Sequence, residues 1–173
     1  MKGVIAECMA RLVTDKKGRS VWQEVLGEAG FDANATFLPT EDVPDEQVVR
    51  LADATSRVLG MTREQTAEAF GEYWINQYAP KIYRIYFGRF ENSREFLQGM
   101  DDLHDKVTRN VPNARPPRFE YEEVDEKTLI MTYQSSRNML EFFVGLIRGV
   151  GRHFGEDLKI FKLGGDRVKV VFP

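Results

Sequence analysis

Cysteine is almost missing from this chain. Cys8 is the only one among 173 residues, so no intramolecular disulfide can form and a reducing, cytoplasmic setting is expected. Histidine is nearly as scarce, with only His104 and His153. A basic excess is also lacking: 24 Lys and Arg stand against 27 Asp and Glu, a formal net charge of −3. That balance argues against a duplex nucleic-acid surface or a polybasic membrane patch. No apolar run approaches membrane-spanning length. The opening Met-Lys-Gly leads straight into a charged amphipathic stretch, so neither a signal peptide nor a myristoylation site is expected. Internal repeats and low-complexity segments are absent as well.

What is present fits a single domain over 1–173, with 42% hydrophobic and 12% aromatic residues, enough to bury a substantial core. Val4, Ile5, Met9, Leu12 and Val13 form an apolar stripe on a first helix that is predicted to last to about Thr14; Ile5 and Met9 face inward. Ser20 to Gln23 reads as a capping box opening a second helix that Gly30 ends. A loop over 34–40 follows. Pro44 with Asp45 and Glu46 predicts a third helix ending at Gly60. Thr62 to Gln65 caps a fourth, carrying Ala67, Phe70, Trp74 and Tyr78 on one side. The aromatics of 82–90 read as core filling.

Asn92 to Glu95 caps a helix running to about Asn110, and three prolines in 111–117 then prevent its continuation. Beyond them, 118–124 and 128–133 flank one turn, and 158–163 and 167–172 flank another, Gly164-Gly-Asp166. Between the two predicted hairpins, Leu140, Phe143, Val144, Ile147 and Val150 describe an apolar helix. The expected fold class is α+β: a helical N-terminal part, about 1–62, then a four-stranded antiparallel sheet with packed helices within 63–173. His153 lies near the end of the last helix, where a positive charge suits the dipole.

The chemistry concentrates between Asn92 and Arg137. Leu97, Met100, Val107 and Val111 recur at helical spacing, and His104 shares their face. An imidazole in an apolar layer must be hydrogen-bonded or ligate something, because an unsatisfied buried polar group costs about 1–3 kcal/mol. A satisfied core histidine and a metal ligand both meet that requirement. Continuing the strand that ends at Tyr133 as extended chain sends Tyr133, Ser135 and Arg137 to one side. Two hydroxyls and a guanidinium suit an anion with several oxygens, such as a pair of carboxylates. An iron for His104 and two carboxylates for the triplet together describe a haem.

Leu103-His104, followed about thirty residues later by Tyr133-Gln-Ser135-Ser-Arg137, resembles the H-NOX (haem nitric oxide/oxygen-binding) domains, related to the haem region of soluble guanylate cyclase. Phe70-Gly-Glu-Tyr-Trp74, Arg115-Pro-Pro117 and Val144-Gly-Leu-Ile147 extend the likeness over nearly the whole chain. The resemblance implies His104 as the proximal iron ligand and Tyr133, Ser135 and Arg137 as the propionate clamp, with Asp45 steadying Arg137. It implies that Pro117 and Ile5 press on the porphyrin, with Met9, Trp74, Tyr78, Phe142 and Leu146 also around it; a plain loop proline and an ordinary helix-face residue would read the same way at Pro117 and Ile5. The cofactor expected is one non-covalent haem b per chain, since a lone cysteine excludes Cys-x-x-Cys-His attachment.

In oxygen-binding members a tyrosine takes the place of Phe142, and a phenyl ring donates no hydrogen bond, so nitric oxide is favoured, with carbon monoxide as an incidental ligand. Trp74 and Tyr78 each carry an N–H or O–H that would serve an oxygen-binding member instead. The resemblance implies a sensor and not an enzyme. Release of His104 and flattening of the haem would signal to a separate histidine kinase or cyclic-di-GMP enzyme. A haem enzyme or carrier is the alternative, and peroxidase-type work would need a distal acid–base group that neither histidine supplies.

Overall fold

The computed structural model describes residues 1–173. Helices α1 (Val4–Lys17), α2 (Arg19–Glu28), α3 (Asp45–Leu59) and α4 (Arg63–Tyr73) come first. A π-helical turn (Trp74–Tyr78) and two short helices, α5 (Ala79–Ile82) and α6 (Arg84–Phe87), follow. Next come α7 (Ser93–Gln98), α8 (Met100–Thr108), β1 (Arg118–Asp125), β2 (Thr128–Gln134), α9 (Leu140–Phe154), β3 (Lys159–Gly164) and β4 (Arg167–Val171). The four strands form one antiparallel sheet in the order β1-β2-β4-β3, the expected α+β architecture.

Two apolar cores fill the molecule. The first is built from α1 to α4, with Met9, Leu12, Trp22, Leu26, Leu51 and Phe70 among its buried members. The second lies under the sheet, where Leu129, Met131 and Tyr133 alternate inward from β2 and meet Val168 and Val170 of β4. Helix α9 serves both: Phe142 belongs to the first core and its neighbour Phe143 to the second, with Ile147 and Val150. Neighbouring helix positions point about 100° apart, so one helix can line two chambers.

Helix α9 also meets α4 backbone to backbone. A Cβ on Gly145 would lie 2.1 Å from the carbonyl oxygen of Ala67, and one on Gly71 2.2 Å from the carbonyl carbon of Gly145. Only glycine permits that approach, and it fixes the helical half against the sheet half.

Several local expectations need correction. Helix α1 continues to Lys17, because only Gly18, at φ 92°, turns the chain out of helical space. Ser20 does not cap α2: the cap is Gly18, without a side-chain bond, and the sequence pattern lies inside a helix that restarts at Arg19. Thr62, by contrast, forms the full capping box with Gln65. The helix predicted from Asn92 to Asn110 is two, split at Gly99. A Cβ at Gly99 would sit 2.6 Å from the Phe90 ring, so the break follows from close packing against that ring. The residues after Tyr73 widen into the π turn, yet Phe70, Trp74 and Tyr78 still stack in a column with centroid separations of 5.9 and 5.4 Å. In 82–90 Phe87 and Phe90 pack against the second core but, like Tyr83 and Tyr86, stay half-buried, and Ile82 and Ile85 beside them face solvent.

Candidate functional site

Asp101 positions the histidine. Its carboxylate accepts from Arg118 Nε at 2.8 Å and from the Phe119 backbone N–H at 3.0 Å, which ties the start of α8 to β1. Three residues on, one helical turn, His104 faces the same strand, its ring 5.6 Å from Phe119. Thr108 Oγ1 donates to the His104 carbonyl at 2.6 Å.

His104 Nδ1 lies 3.1 Å from the carbonyl oxygen of Pro117. That oxygen can only accept, so Nδ1 carries the proton and Nε2 holds the free lone pair. Nε2 has no protein partner, and no unpartnered side-chain nitrogen or oxygen in the protein is sealed away, so it opens onto space. Burial pushes this imidazole below its ordinary pKa, against the opposing pull of the Pro117 carbonyl, and so favours the neutral ring a metal requires. A carbonyl holding the far ring nitrogen is the arrangement that orients ligating histidines.

The triplet converges differently from the sequence expectation. Strand β2 ends at Gln134, so the period of two does not carry through to Arg137. Instead the Arg137 N–H donates to Ser135 Oγ at 3.3 Å, and Asn138, at φ 50°, bends the chain into α9. Tyr133 remains on the strand, stacked on Phe143 at 5.3 Å. Arg137 Nε donates to Asp45 Oδ2 at 2.8 Å and its Nη1 to the Arg115 carbonyl at 2.6 Å, leaving Nη2 unspent. The pairing expected of Asp45 is therefore present.

Burial acts to raise the Asp45 pKa, but the Met1 ammonium and Arg137 outweigh it and hold the carboxylate below its usual range. A depressed carboxylate contributes stability that is complete above its unfolded pKa and is lost as pH falls through the folded one. With Asp45 42% exposed, screening limits this to at most about 1 kcal/mol. Asp45→Asn is expected to lower the melting temperature at pH 7 by roughly 2–4 °C and by less near pH 3. Equal losses at both pH values would show that the carboxylate charge does not hold the clamp.

Seven of the eleven residues singled out in the sequence are half-buried: Ile5, Trp74, His104, Pro117, Ser135, Arg137 and Leu146. Met9, Tyr78, Tyr133 and Phe142 are buried. Among the half-buried ones Ile5, Trp74, Pro117 and Leu146 are apolar, so protein covers them only in part. Phe142 sits edge-on to Phe70 at 5.4 Å. Tyr78 does not offer its hydroxyl to that region, because the O–H donates to Glu7, where burial and the carboxylate both hold the proton on. Trp74 Nε1–H has no acceptor in the protein. His153 lies apart, exposed, its Nδ1 3.3 Å from Asn76 Oδ1. Burial pushes the Cys8 thiol up, so it is no nucleophile.

Three supporting residues had not been singled out: Asp101, Glu7 and Asn76, whose Nδ2 ties the π turn to the Gly149 carbonyl at 3.2 Å. Asp101, one turn before the histidine on the same helix, is the one a sequence reading could have found.

No three His, Cys, Asp or Glu side chains converge to hold a bare metal ion. Iron that arrives with four porphyrin nitrogens needs only one protein ligand, and His104 Nε2 is free to be that ligand. The residues present fit a haem.

An imidazole so oriented, in a fold whose helical and sheet parts join at a glycine seam, suits a haem-binding domain. The comparisons agree: residues 2–162 match the Haem-NO-binding (HNOB) family, and the chain belongs to that family. It is 31% identical over 157 residues to the soluble guanylate cyclase gcy-34 of Caenorhabditis elegans and 29% identical over 157 residues to gcy-32 of the same organism. Those alignments cover 88% of this chain but only 23% of each relative. Among solved structures it is similar to a Cs H-NOX mutant carrying 4-cyano-L-phenylalanine, with TM-score 0.87 and 26% identity over 99% of this chain and 96% of the other. It also resembles an oxygen-binding H-NOX domain related to soluble guanylate cyclases, with TM-score 0.83 and 27% identity over 99% and 95%. The matched region is a sensor domain and not a catalytic one, in relatives that as whole proteins are named guanylate cyclases. No helix of the chain is long and apolar enough to cross a membrane.

Proposed function

We propose that the chain binds one haem b without covalent attachment, senses nitric oxide in the cytoplasm, and reports to a separate histidine kinase or cyclic-di-GMP enzyme. The observation that carries this reading is the Nδ1 contact of His104 with the Pro117 carbonyl, which leaves Nε2 as a free ligand aimed away from the protein's own partners. When bound, the haem supplies a ferrous iron that takes up diatomic gases. His104 would hold that iron; Tyr133, Ser135 and Arg137 Nη2 would hold the propionates; Ile5, Met9, Pro117, Trp74, Tyr78, Phe142 and Leu146 would cover the ring. Carbon monoxide would enter the same space.

Residues 1–173 act in this reading as one domain, with an internal division near the Thr62 cap between α3 and α4. While His104 is held at Nε2, α8 is fixed at both ends of that ring. Once released, the ring keeps only the Pro117 carbonyl, and α8 gains freedom to shift relative to Asp101 and β1. Couplings of about 1–3 kcal/mol suffice for a regulatory output.

Nitric oxide is favoured over oxygen because bound oxygen needs a hydrogen-bond donor. Phe142 has none and the Tyr78 hydroxyl is engaged by Glu7, so an oxygen-binding reading rests on the Trp74 N–H alone. Phe142→Tyr is expected to strengthen oxygen binding about tenfold or more, read from the oxygen dissociation rate, since one hydrogen bond to a developing charge is worth about 1.5–3 kcal/mol. Unchanged dissociation would show that this ring does not face the gas. Absorption spectra of the purified protein test the cofactor itself: no porphyrin band after expression with added haem would refute the reading.

A further inference from the structure

The stretch 79–90 carries a surface that the haem site does not use. Phe87 and Phe90 turn inward onto Phe96, at centroid distances of 5.3 and 5.1 Å. With those rings spent, Ile82 and Ile85 are left 49% and 77% exposed. Around them Lys81, Arg84 and Arg89, with Lys106 on α8, enter none of the protein's ion pairs. The carboxylates of the same region are Glu91, Glu95 and Asp102, one fewer than these four cations. On a chain of net charge −3, this is a local cationic surplus with apolar residues at its centre.

Between α6 and α8 lies a cleft of about 150 Å³. Tyr86 and Phe90 form one wall, Leu103 the floor, and Arg89 and Lys106, with the single carboxylate of Asp102, line the rest. The Arg89 guanidinium rests 5.2 Å over the Tyr86 ring, which holds its charge at the opening. Sites for small organic ligands run to about 300–1,000 Å³. Half the lower figure is the volume of one large side chain, which favours a protein partner over a metabolite.

We propose that this cleft, with Ile82 and Ile85, docks an acidic segment of the signalling partner: one apolar side chain enters the cleft and neighbouring carboxylates meet Arg84, Arg89 and Lys106. The proposal rests on reading the chain as a sensor with a separate partner. Leu103, the cleft floor, directly precedes His104. A segment seated there touches the helix that carries the imidazole, and by linkage docking and the position of α8 bias one another.

The test is fluorescence anisotropy with a fluorescein-labelled peptide of repeating Glu-Glu-Leu-Phe, titrated with the full haem-loaded chain. A peptide with lysine in place of glutamate serves as the control. The acidic peptide is expected to bind, to weaken with added salt, and to bind about tenfold less tightly to an Arg89→Glu/Lys106→Glu double variant. Ile85→Ser, on a fully surface side chain, is expected to weaken it several-fold while leaving the melting temperature unchanged. Equal binding of the two peptides overturns the proposal, as does undiminished binding by a folded double variant. The haem spectrum of the same samples separates the two readings: haem-free wild-type protein sinks the sensor, whereas the peptide titration still reads the cleft.

Discussion

His104→Ala is expected to leave the purified protein without stably held haem, even when haem is supplied during expression. His104 Nε2 carries a lone pair that no protein group uses, and the carboxylate beside it, Asp101, is already committed to Arg118 and the Phe119 backbone. Tyr133, Ser135 and Arg137 would remain able to hold carboxylates at the edge, but an edge held by hydrogen bonds does not replace a metal–nitrogen bond. Small external imidazole should restore part of the absorption by filling the vacated space. The haem-free variant should melt within roughly 8 °C of the haem-free wild type, because Nε2 contacts no protein group and the mutation removes one hydrogen bond and the ring's packing on Phe119, together about 1–2 kcal/mol. Ordinary haem occupancy in His104→Ala would refute the assignment.

Gly145→Val is expected to lower stability by about 3 kcal/mol or more, and the melting temperature by roughly 6–12 °C. The new Cβ would fall 2.1 Å from the Ala67 carbonyl oxygen, and the neighbour that must move is backbone of a packed helix, not the end of a flexible side chain. Because Phe142 and Leu146 ride on the same helix, separation of α9 from α4 would also widen the space beside the haem and shift its absorption spectrum. A melting temperature within a degree of wild type would mean that α4 and α9 do not touch in solution.

The parts of this structure that were legible in the sequence are those with local causes. The two hairpins were marked by their turns, the Thr62 box by its spacing, and the last helix by its apolar stripe. The pairing of Asp45 with Arg137, which the resemblance implied, is present in the structure. What escaped the sequence depends on contacts made at a distance. The break at Gly99 exists because Phe90 folds against it, and the π turn after Tyr73 is tied down by Asn76 reaching a carbonyl on α9. Ser135 and Arg137 were placed on one extended face, but β2 stops at Gln134 and a hydrogen bond inside the turn brings them together instead. Ser20 had the right spacing for a cap and sits within a helix, since a left-handed glycine before it had already supplied the turn.

The central claim is that His104 holds the iron and lets go when nitric oxide arrives. Adding nitric oxide to the ferrous protein and recording its absorption spectrum tests this directly. The expected result is the spectrum of a five-coordinate complex from which the histidine has gone; a six-coordinate spectrum, with His104 still bound at saturating nitric oxide, would contradict it.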